Sequence, residues 1–449
     1  MTTTQTETES ARPLVIVSAD GHCGAKPASY RPYLERRWWP QLAELEEEDR
    51  EWSSLPIWRD PDAETLAVID PDGAIPSGGR TGAWDFERRL AELDRDGIAA
   101  ETLGQGTQLA SPLWFGEENL RAYPAELRTA GHRAHHRWVA DAIASSGGRF
   151  LGFADPGPCL DLTETVGDLA WLRQHGFVAV GLPGILADPA LPPLYDPYHE
   201  PFWSACADLG LHLYVHAGYG VTQGTFFETT DPTRPHDDDL GGLAKRVMFV
   251  TRQRRVFWQL LLGGVFDRHP SLKLVFTELR SYWVKPLLDH LDQWMDRSGA
   301  GLARRPSEYF AEHCFVTPSA IRRLEVQGRH DVGVDRLMFG ADFPHVESTW
   351  PNTRDWIRAT FDGVPEPEAR RILGENAVDL FGFDRPRLEQ VASTVGPRPA
   401  DVLGSHAVDP RLVAHFDVRS GFHKPPDPPL DGWGLDEMLA ADLAGRAVR

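Results

Sequence analysis

The sequence predicts an α/β protein built as a (β/α)8 TIM barrel, with a Trp-rich insertion after the first strand and a C-terminal extension. Three observations lead there. Eight short apolar runs recur at 14–19, 98–103, 150–154, 177–182, 211–216, 272–278, 313–317 and 336–341, most of them rich in Val, Ile, Leu or Phe on both faces, as buried parallel strands are. Helical spacing fills the gaps between them, the alternation that gives a parallel sheet. Finally, three of the runs end in metal-binding side chains: Asp20 and His22 after the first, His216 at the fifth and Asp342 after the eighth. The C-terminal ends of barrel strands converge on one face, so these distant residues can meet at one point.

Taken in order, residues 1–12 are Thr/Glu-rich and read as a disordered tail without the basic and apolar regions of a signal peptide. The barrel spans 13–383. After its first strand, 31–84 is punctuated by Pro, Asp and Gly and carries Trp38, Trp39, Trp52, Trp58 and Trp84. That position places it over the mouth of the barrel, either as a lid that shapes the substrate site or as a packed subdomain. Helices are expected at 86–95, 122–145, 162–175, 198–209, 243–268, 284–297 and 320–327, and after the eighth strand at 353–361 and 367–381. His132, His135 and His136 lie among arginines on the second of these, which reads as a solvated face; His236 sits in a charge run that reads as a loop. Residues 384–449 are Pro-rich and read as an extended arm packing on a partner subunit, with a short helix near 435–443.

Composition narrows the function. The 449 residues are 41% hydrophobic and 25% charged, ordinary for a globular protein, and the formal charge of −20 offers no net basic surface for nucleic acid. The four cysteines (Cys23, Cys159, Cys206, Cys314) form no Cys-x-x-Cys pair, a pattern of reduced thiols in a cytoplasmic protein. No apolar window approaches the length that spans a membrane. Gly-rich phosphate loops, dinucleotide fingerprints and Gly-x-Ser-x-Gly elbows are absent from the sequence.

The ligand-type residues carry the chemistry. Asp20 and His22 are two apart at a strand end and point to the same face, with Gly21 between them letting the backbone approach closely. His216 is followed by Ala217 and Gly218, which leave room around an imidazole. Two carboxylates and two imidazoles with an open position suit zinc or another divalent first-row metal. Taken singly, an Asp-x-His is more often a cap or turn, and a strand-end histidine more often a satisfied core residue. Their joint occurrence at three strand ends is what favours a metal.

In this order the motifs resemble the amidohydrolase superfamily, in particular the amidohydrolase-related branch that includes aminocarboxymuconate-semialdehyde decarboxylase and the resorcylate-type decarboxylases. The resemblance runs from about Leu14 to Phe383 and rests on Ser18-Ala19-Asp20-Gly21-His22, the run from Phe266 to Glu278 containing Asp267-Arg268-His269-Pro270, Phe339-Gly340-Ala341-Asp342-Phe343-Pro344-His345, and Ile372-Leu373-Gly374-Glu375-Asn376-Ala377. It implies Asp20, His22, His216 and Asp342 as metal ligands and a homodimer. Two departures stand out. The branch usually opens with His-x-His or Glu-x-His, whereas Asp20 is one methylene shorter than glutamate; and Glu278 stands where the decarboxylases usually carry a histidine. Binuclear members hold a bridging lysine on the fourth strand, but 178–183 contains none, which favours one metal ion per chain, Zn2+ first and Mn2+ second.

Asp342, Glu278 and His345 are the candidate catalytic residues. Glu278 can hold a water, act as acid or base or orient a ligand, or else form a strand-end salt bridge with Arg280. His345 can orient Asp342, touch substrate or cap the next helix. Arg280, Tyr282, Trp283 and Tyr219 are candidate contacts to a small-molecule substrate, an arginine suiting a carboxylate and the tryptophans a flat aromatic. The expected reaction is non-oxidative decarboxylation of an aromatic or unsaturated carboxylic acid. Metal-dependent hydrolysis of a C–N or C–O bond is the alternative, and a non-catalytic binding barrel the third reading.

Overall fold

A computed structural model of the chain describes residues 12–54, 59–116, 122–185, 188–220, 253–298 and 301–420. Trp58, His236, the expected helix near 435–443 and all but the last residue of the 1–12 tail lie outside those residues. Eight strands are regular: β1 (Ile16–Ser18), β2 (His22–Cys23), β3 (Ile98–Gln105), β4 (Phe150–Ala154), β5 (Phe177–Gly181), β6 (His212–His216), β7 (Leu274–Thr277) and β8 (Cys314–Thr317). All pairings are parallel in the order β1-β3-β4-β5-β6-β7-β8, and β2 continues β1 along β3. The expected last strand, 336–341, is not a regular strand but a bridging segment. Met338 donates its N–H to Val316 (2.9 Å) and Ala320 donates to Gly340 (2.9 Å); on the other side Ala19 donates to Phe339, Asp342 to Asp20 and His22 to Phe343, each at 2.8 Å. This segment joins β8 to β1 and gives a TIM-barrel-like α/β fold. Its irregularity has a local cause: a Cβ on Gly340 would lie 2.7 Å from the Cβ of Asp20, so the two chains cross too closely for a side chain.

Alternation along the strands sets the core. Val17, Phe153, Tyr214, Val275, Phe315 and Met338 pack together inside the ring, while their neighbours Ile16, Leu213, Val215, Leu274, Phe276 and Val316 face the helices. Phe381 closes the N-terminal end, its ring 5.3 Å from that of Phe153. By the same parity His216, two residues beyond Tyr214, points inward at the C-terminal end.

The helices form near their expected places: Phe86–Asp96, Ala125–Ser145, Leu162–Gln174, Glu200–Leu209, Val284–Ser298 and Thr353–Thr360 among them. Two expectations need correction. His132, His135 and His136 are not on a solvated face; all three are buried, because Ala125–Ser145 turns that side toward Tyr30, Phe115 and Phe177. The start of the C-terminal extension is not an extended arm. It folds as helices Arg385–Val395, Pro399–Val402 and Pro410–Ser420, and the i, i+4 pair Leu412 and Phe416 buries against this chain's own barrel, Phe416 with its ring 4.6 Å from Trp356. Within the insertion, Trp39–Trp52 is a helix whose last tryptophan is buried and donates its indole N–H to Gln108 (3.0 Å).

Candidate metal centre and active site

Six donor side chains converge at the C-terminal mouth of the barrel. Asp20, His22, His216 and Glu278 form one set whose donor atoms lie within 4.8 Å of one another; His22, Glu278, Asp342 and His345 form a second, overlapping set. The imidazole of His22 is the hub, its Nε2 3.5 Å from Asp20 Oδ1, 3.3 Å from Asp342 Oδ1 and 3.9 Å from Glu278 Oε2. His216 Nε2 is 3.0 Å from Glu278 Oε2 and 3.7 Å from Asp20 Oδ1, and His345 stacks on His22 at 3.9 Å between ring centroids. Glu278 (φ +57°) and Asp342 (φ +64°) both take left-handed backbone, which non-glycine residues seldom adopt and which turns each side chain back toward the axis at its strand end.

The ring nitrogens are pre-oriented. Nδ1 of His22 lies 2.8 Å from the carbonyl of Gln105 and Nδ1 of His216 lies 2.9 Å from that of Ala217, so each ring aims its Nε2 at the cluster. Those two Nε2 atoms, both carboxylate oxygens of Asp342 and both ring nitrogens of His345 are shut off from solvent without a well-aligned hydrogen bond. Buried polar atoms left in that state cost about 1–3 kcal/mol apiece. A divalent cation fits: it would satisfy them with imidazole and carboxylate donors of the type that zinc and manganese accept.

The electrostatics agree. Burial opposes a charge on His22, yet hydrogen bonding to Asp20 and Asp342 outweighs it and holds this imidazole well above the usual histidine range. His216 is raised in the same way, burial being overcome by Glu278 and Asp20, and His345 is raised against burial by Asp342 and Glu347. The carboxyls of Asp20 and Asp342 move down: burial pushes each up, but the neighbouring imidazoles prevail. Excess protons thus sit where a cation would sit.

Several supporting residues escaped the reading of the sequence. Fully buried Arg89 donates to the carbonyls of His22 (2.7 Å), Gly82 (3.1 Å) and Phe343 (3.2 Å) and pairs with Glu101, tying both ends of the donor set to one guanidinium. Ser319 donates its hydroxyl to Asp20 Oδ2, and Ser18 joins the two strand ends by donating to Asp20 O (2.7 Å) while accepting from Ala341 N–H (2.8 Å). Gly21 has the close approach expected of it, since a Cβ there would lie 2.6 Å from Glu101 Oε2. Arg89 reaches His22 and Phe343, and Ser319 reaches Asp20, from far along the chain, and no motif marks either.

The expected substrate contacts fare unequally. Arg280 does not pair with Glu278; its guanidinium reaches the Ser319 carbonyl at 2.9 Å and Glu325 at 3.5 Å. Trp283 packs in the outer core, its ring 4.9 Å from Phe276, which faces the helices rather than the barrel axis; packing replaces the expected substrate contact. Tyr219 donates its hydroxyl to Pro183 (2.8 Å), and the Tyr282 hydroxyl is buried near Arg322 without a well-aligned hydrogen bond among the described residues.

Comparison with known proteins places this site in context. A family model described as amidohydrolase matches residues 69–383, a span that contains His216, Glu278, Asp342 and His345. Gamma-resorcylate decarboxylase of Rhodococcus jostii (strain RHA1) is 27% identical over 259 residues, covering 55% of this chain and 75% of that protein. The crystal structure of 5-carboxyvanillate decarboxylase from Sphingomonas paucimobilis superposes with a TM-score of 0.56 at 19% identity, covering 82% of this chain and 99% of the other. A dihydroxybenzoic acid decarboxylase from Polaromonas sp. JS666, solved with manganese and the inhibitor 2-nitroresorcinol, gives 0.54 at 19% identity over 83% of this chain and 98% of that one.

Proposed function

This chain belongs to the amidohydrolase family, and from that premise we propose that it is a metal-dependent carboxy-lyase that removes CO2 from an aromatic or unsaturated carboxylic acid without oxidation. The observation that carries the reading is the set of buried donor atoms of His22, His216 and Asp342, crowded together at the mouth of the barrel without a well-aligned hydrogen bond among the described residues. The similarity to gamma-resorcylate decarboxylase supports the choice of reaction.

His22, His216, Asp20 and Asp342 would hold one divalent ion, with Glu278 in reach of the same point. Held there, such an ion would supply Lewis-acid chemistry to a substrate carboxylate. The chain's own residues manage the proton. His345 Nδ1 lies 3.1 Å from Asp342 Oδ1, a pairing that pushes the imidazole up and the carboxyl down. His345 is therefore the reservoir and Asp342 the relay that delivers a proton to the carbon bearing the carboxylate. The C–C bond then breaks, its electrons restore the ring or double bond, and CO2 leaves. Glu278, its Oε2 3.0 Å from His216 Nε2, would add a carboxylate at the same point as that imidazole.

The position of Glu278 also favours a second reading, hydrolysis of a C–N or C–O bond, in which its carboxylate would take the proton of an attacking water. The choice of zinc or manganese, a homodimer, a cytoplasmic location and a lid formed by 31–84 over the 13–383 barrel, with 384–449 as an appended extension, belong to the same proposal. No helix among the described residues is long and apolar enough to cross a membrane, and all four cysteines are free and buried.

The test is metal content followed by product analysis. About one zinc or manganese per chain is expected, with CO2 released from hydroxylated benzoates in proportion to metal. Metal-dependent release of an amine or alcohol without CO2 would move the assignment to hydrolysis, and a metal-free, inert protein would remove it.

A further inference from the structure

His345, the proton reservoir of the proposed reaction, and His22 are both flanked by one short strap, residues 105–108 at the C-terminal end of β3. The Gln105 carbonyl lies 2.8 Å from His22 Nδ1. A Cβ on Gly106 would lie 3.4 Å from His22 Nδ1 and 4.0 Å from His345 Nε2, so the backbone runs against both imidazoles. Gln108 closes the strap with left-handed backbone (φ +61°), which a non-glycine residue seldom takes.

The Gln108 amide is engaged at both ends. Its Nε2 donates to the two carboxylate oxygens of Glu347 (3.1 and 3.2 Å), and its Oε1 accepts the N–H of Val346 (3.0 Å). A glutamate in its place would set a second carboxylate against Glu347, and an apolar side chain would offer neither donor nor acceptor. Held this way, Glu347 places Oε1 4.0 Å from His345 Nδ1, the same nitrogen that lies 3.1 Å from Asp342 Oδ1. The reservoir imidazole thus faces two carboxylates, one from the strand end and one fixed by the strap. The strap is braced in turn. Trp52, at the end of the insertion helix Trp39–Trp52, donates its indole N–H to the Gln108 carbonyl (3.0 Å), and Asp49 of that helix accepts the N–H of Ser111 (2.7 Å). On the other side Ser420 donates its hydroxyl to the Glu347 carbonyl (2.7 Å).

We propose that Gln108 is a positioning residue: braced by the insertion through Trp52, it fixes the Glu347 carboxylate beside His345 and so holds that imidazole toward Asp342 for proton delivery. The insertion then takes part in the chemistry through a hydrogen-bonded chain that runs Trp52, Gln108, Glu347, His345. The inference rests on the decarboxylase reading for the task of His345, while the contacts themselves depend on neither metal nor substrate.

The test uses the full-length protein supplemented with zinc and the hydroxylated benzoate that the wild type turns over fastest. Gln108→Leu and Gln108→Glu should lower kcat about tenfold, the lower end of what supporting contacts at such sites are worth, with KM within about twofold and zinc stoichiometry unchanged. NMR of histidine-labelled protein should show the His345 ring resonance displaced and that of His135 in place, each identified by its absence from His345→Gln or His135→Phe. Trp52→Phe, which keeps the packed ring and removes only the N–H, should move the same readouts less. Thermal melts identify any variant that has unfolded, and Trp52→Phe carries the comparison if both Gln108 variants have. Wild-type kcat or an unmoved His345 resonance in the folded variants overturns the assignment, as does zinc lost in step with activity. If the wild type releases no CO2 from any benzoate, the decarboxylase reading falls and the resonance decides alone: displaced, it keeps Gln108 as the residue that positions His345; unmoved, it removes that role too.

Discussion

Two groups of buried histidines sit in this protein, and the chain treats them in opposite ways. His22, His216 and His345 stand among carboxylates, each turning a buried ring nitrogen toward them, and their pKa values are pushed up. His132, His135 and His136 line one side of the helix Ala125–Ser145 among aromatic rings. Burial takes His132 and His135 down to about 3, nearby arginines adding to the effect at His132, and it takes His136 well below the usual value. His135 Nδ1 lies 3.1 Å from the Tyr30 hydroxyl, and His136 Nε2 accepts the N–H of Asp155 at 3.1 Å. Burial is common to both groups. The presence of carboxylates decides whether a buried imidazole is a potential ligand or a neutral core residue.

The comparison breaks most directly at the ligands. His216→Ala and Asp342→Asn should lose the metal and at least about a hundredfold in kcat, the scale on which general acid–base groups act. His135→Phe, equally buried, should keep its metal stoichiometry. Elemental analysis of the purified variants reads this, and a His135→Phe protein without metal would collapse the distinction.

The pH dependence of stability sharpens it. In the metal-free protein the raised His22 and His216 contribute stability that is present below their unfolded value of 6.5 and lost as pH rises through their folded values. His132 and His135 have the opposite sign: their contribution is complete above 6.5 and lost as pH falls toward about 3. Added manganese should therefore raise Tm more at pH 8 than at pH 6, because binding needs deprotonated imidazoles. Denaturant titrations of His135→Phe should show a flatter loss of stability between pH 6.5 and 4.5 than the wild type.

The smallest expected effect tests the supports. Ser319→Ala removes the hydroxyl that holds Asp20 and should weaken metal affinity about tenfold, the lower end of what such supporting contacts are worth. Metal titration of the stripped variant measures it; an unchanged affinity would mean that Asp20 is placed by its backbone alone.

Much of the site was legible because period-2 strands carry their chemistry to one end. Asp20, His22, His216 and Asp342 were found from apolar runs that stop at ligand-type residues, Glu278 was singled out through the family resemblance, and the structure places all five beside His345. The same method misread His132, His135 and His136, since arginines beside them suggested solvent while aromatic residues far along the chain cover them. It also missed the helices of 385–420, whose apolar residues are few and whose partners lie on the barrel.

By itself, then, the sequence determined the alternation of strands and helices, the parity that points His216 inward, and the donor types at the strand ends. These are local properties of spacing and side-chain chemistry. Tertiary structure alone decided which histidines meet carboxylates, that Arg89, while holding His22, reaches Phe343 across 254 residues, and that Ser420 at the end of the C-terminal helix donates to the Glu347 carbonyl. Such choices depend on which surfaces pack together, and packing between distant segments leaves no periodic trace in the chain.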